Sequence, residues 1–131
     1  MGLLNVIVAG LAAFAFGAIW YTLLAKPWMH ASGVAIGPDG TPANKSDPLP
    51  YIMALISVIL VAGMMRHMFV LSGIDTFGKG IVSGLGIGLF IAAPWMMTCY
   101  GFAGRARRLF VIDGGYATIG CGVIGGVLTL F

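Results

Sequence analysis

Residues 3–25 read LLNVIVAGLAAFAFGAIWYTLLA and carry no charge. A helix of this length can cross the hydrocarbon core of a bilayer, which needs about 20 apolar residues. Three further stretches have a similar length and composition: 51–71, 80–100 and 109–131. They lack the alternation of apolar and polar residues that is typical of barrel strands, so helices are the remaining way to pair the backbone in lipid. The sequence therefore predicts an all-α polytopic membrane protein with four transmembrane helices in a compact, Gly-rich bundle.

The overall composition agrees with a membrane protein rather than a soluble one. Only 8% of the residues are charged and 60% are hydrophobic. The four stretches use most of the chain, so residues 1–131 are interpreted as a single domain. The first stretch lacks a basic flank and is longer than the apolar part of a typical signal peptide, which indicates a retained helix. In the longest connection, 26–50, the first residues mix apolar and polar side chains as a short interfacial helix does.

The basic residues indicate how the chain is oriented. Four spans place both termini on one side of the membrane. The connections after the first and third spans carry five basic residues, whereas the termini side carries two, Arg66 and Lys79. By the positive-inside rule, both termini are expected outside the cell membrane and the connections after the first and third spans in the cytoplasm. The five residues of the cytoplasmic side are Lys26, Lys45, Arg105, Arg107 and Arg108, of which the three arginines are expected to contact lipid head groups. The net charge of +3 thus bears on lipids and not on nucleic acid.

Small residues recur at a spacing of four in three of the stretches. Residues at i and i+4 lie on the same face of a helix, and small side chains let helix backbones approach closely in lipid. These faces are predicted to pack within the bundle, with one left for a membrane-protein partner or a second copy. The three stripes are Ala9, Ala13 and Gly17; Gly80, Gly84, Gly88 and Ala92; and Gly114, Thr118, Gly122 and Gly126. Pro94 interrupts the third stretch and predicts a kink there.

Few polar residues fall inside the stretches, and each has two interpretations. Arg66 can extend its flexible stem to the head groups or pair with Asp75. His67 is either interfacial or part of a proton path. Asp113 is predicted in the first turn of the fourth helix, where the helix dipole and a neighbouring arginine stabilise it; the alternative is an ion or substrate site. Asn5 is predicted to cap a helix or to bond between helices.

No set of residues predicts catalysis. Cys99 and Cys121 lie in apolar stretches, so neither a disulfide nor a metal site is expected. The chain contains no Glu and four Asp, which is too few carboxylates for a metal cage. No nucleophile with a neighbouring base is recognisable. We therefore expect no enzyme activity and no cofactor.

The end of the first stretch carries a family resemblance. Residues 17–22 read GAIWYT, Lys26-Pro27-Trp28 and Gly33 follow, and IDGGY at 112–116 precedes a Gly-rich span. With these motifs the chain resembles the bacterial membrane family called domain of unknown function seventeen-sixty-one, over most of its length. The resemblance implies four spans and transfers no chemistry. It nominates five positions for a shared role: Trp20, Tyr21, Trp28, Asp113 and Tyr116.

Two functional hypotheses follow from the sequence. The first is an accessory or scaffolding subunit that packs a Gly-rich face against a larger membrane complex, because the chain is small and lacks recognisable chemistry. The second is a homo-oligomeric transporter or channel for a small solute, because of the glycine stripes, Pro94 and the few polar residues inside the spans. In both hypotheses the protein also contacts membrane lipids as partners.

Overall fold

The computed structural model describes residues 2–131, which form an all-helical chain with four helices long and apolar enough to cross a membrane. The predicted fold class is thus confirmed. The third of these helices, Phe77–Phe102, contains a π-helical turn at Gly88–Ala92 that separates two α-helical parts. In chain order the helices are α1 (Leu3–Leu23), α2 (Ala25–Ser32), α3 (Leu49–Ser72), α4 (Phe77–Ile87), α5 (Ala93–Phe102) and α6 (Arg107–Leu128).

Helix α6 is the centre of the bundle. Half of its most apolar segment is buried, compared with 33% for α1 and 22% for each of the other two spans. It packs against α1 and α4, and α3 packs against α1 and less extensively against α6. The core lies mainly where α1, α3 and α6 meet and includes Ala9, Ala62, Phe69 and Leu128. The remaining faces of α3 and of the third span are apolar and exposed.

Helix α2 is short and follows α1 after a single residue, Leu24. Pro27 lies in its first turn, where the missing N–H has no helical partner to lose, and the helix ends before Gly33. Gly33 has φ of 69°, a left-handed conformation that favours glycine at the end of a helix. The helix packs back against α6. It therefore covers the end of the bundle at which α1 ends and α6 begins.

The loop between α2 and α3 is a turn held by its own side chains. Ile36 and Pro42 form an isolated antiparallel bridge. Lys45 forms a salt bridge with Asp39, whose side chain also accepts hydrogen bonds from Thr41. These bonds hold the pKa of the Asp39 carboxyl below its ordinary value, and the bond from Lys45 has the largest effect.

Pro94 is accommodated by the π-helical turn that precedes it. In an α-helix its ring would press on the carbonyl of Phe90, and it has no N–H to donate there. Before the proline the helix widens, and the Ala93 amide donates to the Gly88 carbonyl five residues back. The third span thus continues through Pro94 to Phe102 without a break in helical structure.

Glycines let α4 touch the backbone of α6. A Cβ atom built on Gly80 would lie 2.3 Å from the Gly125 carbonyl oxygen, and one on Gly84 would lie 2.1 Å from that of Cys121. At Gly88, just beyond α4, the nearest atom would be the Thr118 Cα at 2.4 Å. Real Cβ atoms do not approach so closely. Any larger residue at these three positions would therefore push the helices apart.

The stripe predicted on α6 differs in part from the residues that make this contact. Gly122 and Gly126 face α4 side chains, since a Cβ there would meet Leu85 at 2.7 Å and Ile81 at 3.1 Å. Gly114 is an exception, because the nearest atoms belong to Phe110 of its own helix. The closest backbone contact instead involves Gly125, which lies outside the predicted stripe. A spacing of four drifts around a helix of 3.6 residues per turn, so the two ends of a long stripe do not face the same neighbour.

Candidate functional site: a buried carboxyl group among aromatic side chains

Asp113 joins three spans at one end of the bundle. Its side chain is 9% exposed. One carboxyl oxygen accepts a hydrogen bond from the Tyr21 hydroxyl at 2.5 Å, and the other accepts one from the Tyr100 hydroxyl at 2.6 Å. The three residues meet because α1 and α5 end, and α6 begins, at the same side of the membrane. Both oxygens of the carboxyl group are therefore used to hold α1 and α5 against α6.

These partners correct the predicted role of Asp113. Helix α6 begins at Arg107, so Asp113 is its seventh residue, and the first turn contains no acidic residue. Within residues 2–131, the salt bridges are those of Lys45 with Asp39 and of Lys79 with Asp75. Asp113 is thus too far along the helix for the proposed first-turn contact with the dipole. Its side chain points between the helices, where hydroxyl groups replace the arginine partner.

Aromatic rings surround the carboxyl group. The Trp20 indole N–H donates to the Ile112 carbonyl at 3.0 Å, which ties α1 to α6 next to Asp113. The Tyr116 ring meets the Tyr21 ring edge-on, with centroids 5.2 Å apart, and stacks on Phe16 at 6.2 Å. From α2, the Trp28 ring also packs edge-on with the Tyr21 ring, with centroids 6.1 Å apart. We call Trp20, Tyr21, Trp28, Tyr100, Asp113 and Tyr116 the Asp113 cluster.

Two glycines make room for these rings. A Cβ atom on Gly17 would lie 2.8 Å from the Tyr116 ring, and one on Gly115 would lie 2.9 Å from the Trp20 ring. Gly17 was predicted as part of a packing stripe, and it faces an aromatic ring rather than a helix backbone. Its small size therefore serves the Asp113 cluster directly.

The five positions nominated by the family resemblance all lie in the Asp113 cluster. The sixth member, Tyr100, is not among the positions that the resemblance nominates. Two signals pointed to it: the connection from α5 to α6 is short, and Asp113 is the only acidic residue inside the four stretches. Tyr100 lies two residues before the end of the third span, which brings it to the level of Asp113 on the next helix.

The other polar residues lie at the opposite end of the bundle. Arg66 is half-buried and His67 is exposed, both in the last two turns of α3. Asp75 lies 3.6 Å from the Lys79 side chain. Asn5 is buried and donates a hydrogen bond to the Phe131 carbonyl, so it links the start of α1 to the chain beyond α6 rather than capping its own helix. These residues do not approach the Asp113 cluster.

Chemically, the Asp113 cluster is a hydrogen-bonded contact that holds three helices together. The carboxyl oxygens and both partner hydroxyls are engaged with each other, and α2 packs over the same region of α6. Fold and site together define a four-span helical membrane protein whose spans are tied at one end by a buried carboxyl group and two tyrosines.

The comparison with protein families identifies the group to which it belongs. The family described as "Protein of unknown function (DUF1761)" matches residues 4–129, and the chain is a member of this family. The predicted resemblance is thus confirmed over nearly the whole chain. No curated protein and no solved structure matches the chain.

The Trp20 hydrogen bond gives a first testable prediction. Trp20→Phe keeps an aromatic ring against Gly115 but leaves the Ile112 carbonyl without its indole donor. We expect a loss of about 1 kcal/mol in the free energy of unfolding, typical of one neutral hydrogen bond. Thermal unfolding in mild detergent measures it, with Trp95→Phe as the control, because the Trp95 side chain is on the exposed surface. An equal effect of the two substitutions would contradict this role of Trp20.

Proposed function

We propose that this protein is a non-catalytic accessory or scaffolding subunit of the bacterial inner membrane, which packs against a larger membrane complex. The observation that carries the proposal is that the polar groups of the Asp113 cluster bind one another within the chain. Its carboxyl oxygens hold two helices, so this buried polar group serves to fix the arrangement of the spans. A bundle fixed in this way presents a constant outer surface to a partner.

The outer surface offers a wide apolar area for such packing. On α3, the side chains of Ile56, Leu60 and Met64 follow one another at a spacing of four and are each more than half exposed. The third span exposes Phe90 and Trp95 to a similar or greater extent. Lipid covers such faces in an isolated bundle, and a partner helix would replace it. Because lipid tails are as apolar as these side chains, shape and not hydrophobicity would decide the contact.

Gentle extraction at native expression level tests the proposal. We expect the protein to migrate with other chains in a particle larger than its own detergent complex, with the partners identified by mass spectrometry. Leu60→Trp, which adds bulk on the exposed face of α3, is expected to reduce their recovery. Leu3→Trp is the control, since Leu3 is also exposed but lies at the very start of α1. A particle that contains only this chain would contradict the accessory role.

A second candidate function, a homo-oligomeric transporter or channel for a small solute, is favoured by one observation. The π-helical turn at Gly88–Ala92 lies directly before Pro94, and such turns are frequent at functional sites. Liposomes that contain the purified protein test it with a panel of small solutes. Flux above that of empty vesicles, reduced in Pro94→Ala, would support transport. Flux equal to that of empty vesicles would exclude it for the solutes tested.

The proposed orientation places both termini in the periplasm and the Asp113 cluster at the cytoplasmic side. It follows from the excess of basic residues near that end of the bundle. Fusions of a reporter that is active only in the periplasm, attached to either terminus, are expected to be active. The same reporter inserted after Gly40, in the loop between α2 and α3, is expected to be inactive. The reverse pattern would invert the orientation.

A further inference from the structure

We propose that the start of α6 binds the head group of an anionic phospholipid through Arg105, Arg107 and Arg108. All three side chains are exposed and lie within four consecutive residues. The feature is independent of the accessory role, because it concerns the lipid that borders the protein and not a partner chain.

The arginines have no carboxyl partner in residues 2–131. The carboxyl groups on this side of the bundle belong to Asp39, Asp47 and Asp113. Asp39 pairs with Lys45, and Asp47 accepts a hydrogen bond from the Leu49 amide. Asp113 is buried and bound by two tyrosine hydroxyls. Three positive charges at this turn are therefore left for a ligand from outside the chain.

The turn holds these side chains at a defined place. Gly104 has φ of 68° and reverses the chain after α5, and the Arg105 amide donates to the Tyr100 carbonyl at 3.0 Å. Ala106 then precedes α6 in an extended conformation and provides no side-chain cap, so the first amides of the helix lack such a partner. Arginine forks and uncapped helix amides are both donors that suit phosphate oxygens.

The depth of the turn in the membrane indicates that the phosphate group bound by the arginines belongs to a lipid. Helix α6 has 22 residues. It is about 33 Å long at 1.5 Å per residue, whereas the hydrocarbon core of a bilayer is about 30 Å thick. The first residues of α6 therefore lie at the level of the head groups of one leaflet. A lipid phosphate is present at that level, and a head group with net negative charge is preferred because it adds no ammonium group near the arginines.

Lipid binding by the full chain tests this proposal. Purified protein is equilibrated in micelles that contain equal amounts of phosphatidylglycerol and phosphatidylcholine, and bound lipids are counted by native mass spectrometry. We expect the wild type to bind phosphatidylglycerol preferentially. In the variant R107Q/R108Q, the ratio of bound phosphatidylglycerol to bound phosphatidylcholine should fall at least about tenfold. Each arginine near the membrane surface contributes roughly a fivefold increase in affinity for an anionic lipid.

Two further variants make the result specific. K45Q/K79Q removes the same number of charges from lysines that are already in salt bridges, and it should keep the preference. R107K/R108K keeps the charge and should retain most of it, which separates charge from a defect in folding. An equal affinity of the wild type for both lipids, or an equal loss in R107Q/R108Q and K45Q/K79Q, would overturn the proposal. Displacement of the lipid by millimolar inorganic phosphate would also overturn it, because the site would then take free phosphate.

Discussion

Gly84→Leu is expected to separate α4 from α6 and to lower the free energy of unfolding by about 3 kcal/mol or more, at the upper end of the cost of overpacking. The reason is the nature of the contact. A Cβ atom at Gly84 would lie 2.1 Å from the Cys121 carbonyl oxygen and 2.8 Å from its carbonyl carbon. These are backbone atoms of the central helix, so no rotation of a side chain relieves the clash. Thermal unfolding in detergent, together with the yield of monodisperse protein, measures the effect.

Gly86→Leu is the matched control for this experiment. Gly86 lies in the same helix, and a Cβ atom there would meet nothing within 4 Å. The same substitution therefore changes helix propensity and hydrophobicity equally but adds no bulk at the contact. Leu89→Ala, on a half-exposed side chain, is also expected to have little effect. Similar melting temperatures for Gly84→Leu and Gly86→Leu would contradict the close approach of α4 and α6.

Gly122→Leu is expected to have an intermediate effect. Its Cβ atom would lie 2.7 Å from a methyl carbon of Leu85, whose side chain can change rotamer, whereas the nearest backbone atom is 3.9 Å away. A loss of about 1–2 kcal/mol is therefore expected, within the usual range for added volume in a packed interior. The comparison of Gly122→Leu with Gly84→Leu in the same unfolding assay tests whether side chains or backbone limit the approach. A larger loss for Gly122→Leu would contradict the geometry.

The glycine positions show which part of the fold the sequence could predict. Hydropathy and length define the four spans, because each must cross a bilayer of fixed thickness. The spacing of Gly80, Gly84 and Gly88 predicts that they share one face of a helix. The residues opposite that face depend on how α6 is rotated and shifted along its axis, and this depends on all of its neighbours together. For this reason Gly125 was missed, whereas the atoms nearest to a Cβ on Gly114 belong to its own helix.

The Asp113 cluster shows the same limit for the site. The family resemblance nominated most of its members without giving a contact between them. The role of Asp113 was predicted from the sequence neighbours Arg105 to Arg108, because in sequence those are the nearest opposite charges. Its actual partners, Tyr21 and Tyr100, come from two other helices. Because α6 begins at Arg107, two residues before the predicted stretch, Asp113 is its seventh residue and lies in the second turn.

Asp113→Ala is expected to lower the free energy of unfolding by about 3 kcal/mol, because two hydrogen bonds are lost and two half-buried hydroxyls lose their acceptor. Asp113→Asn should cost less, since the amide keeps one acceptor oxygen and a similar shape. Neither change adds charge to the span, so insertion into the membrane should be unaffected. Unfolding in mild detergent gives the stabilities, and the amount of protein in the membrane fraction gives insertion. An unchanged melting temperature for Asp113→Ala would exclude a stabilising role for the cluster.

A double-mutant cycle separates the contributions of the two hydrogen bonds to Asp113, from Tyr21 and from Tyr100. Tyr21→Phe removes the bond to α1, and Tyr100→Phe removes the bond to α5, each at an expected cost of about 1–2 kcal/mol. Since both act through the same carboxyl group, their effects in the Asp113→Ala background should almost disappear. Tyr116→Phe is the control, because the Tyr116 ring packs in the cluster while its hydroxyl contributes no hydrogen bond within residues 2–131. If Tyr21→Phe and Tyr116→Phe have the same effect, ring packing rather than the carboxyl group holds α1 to α6.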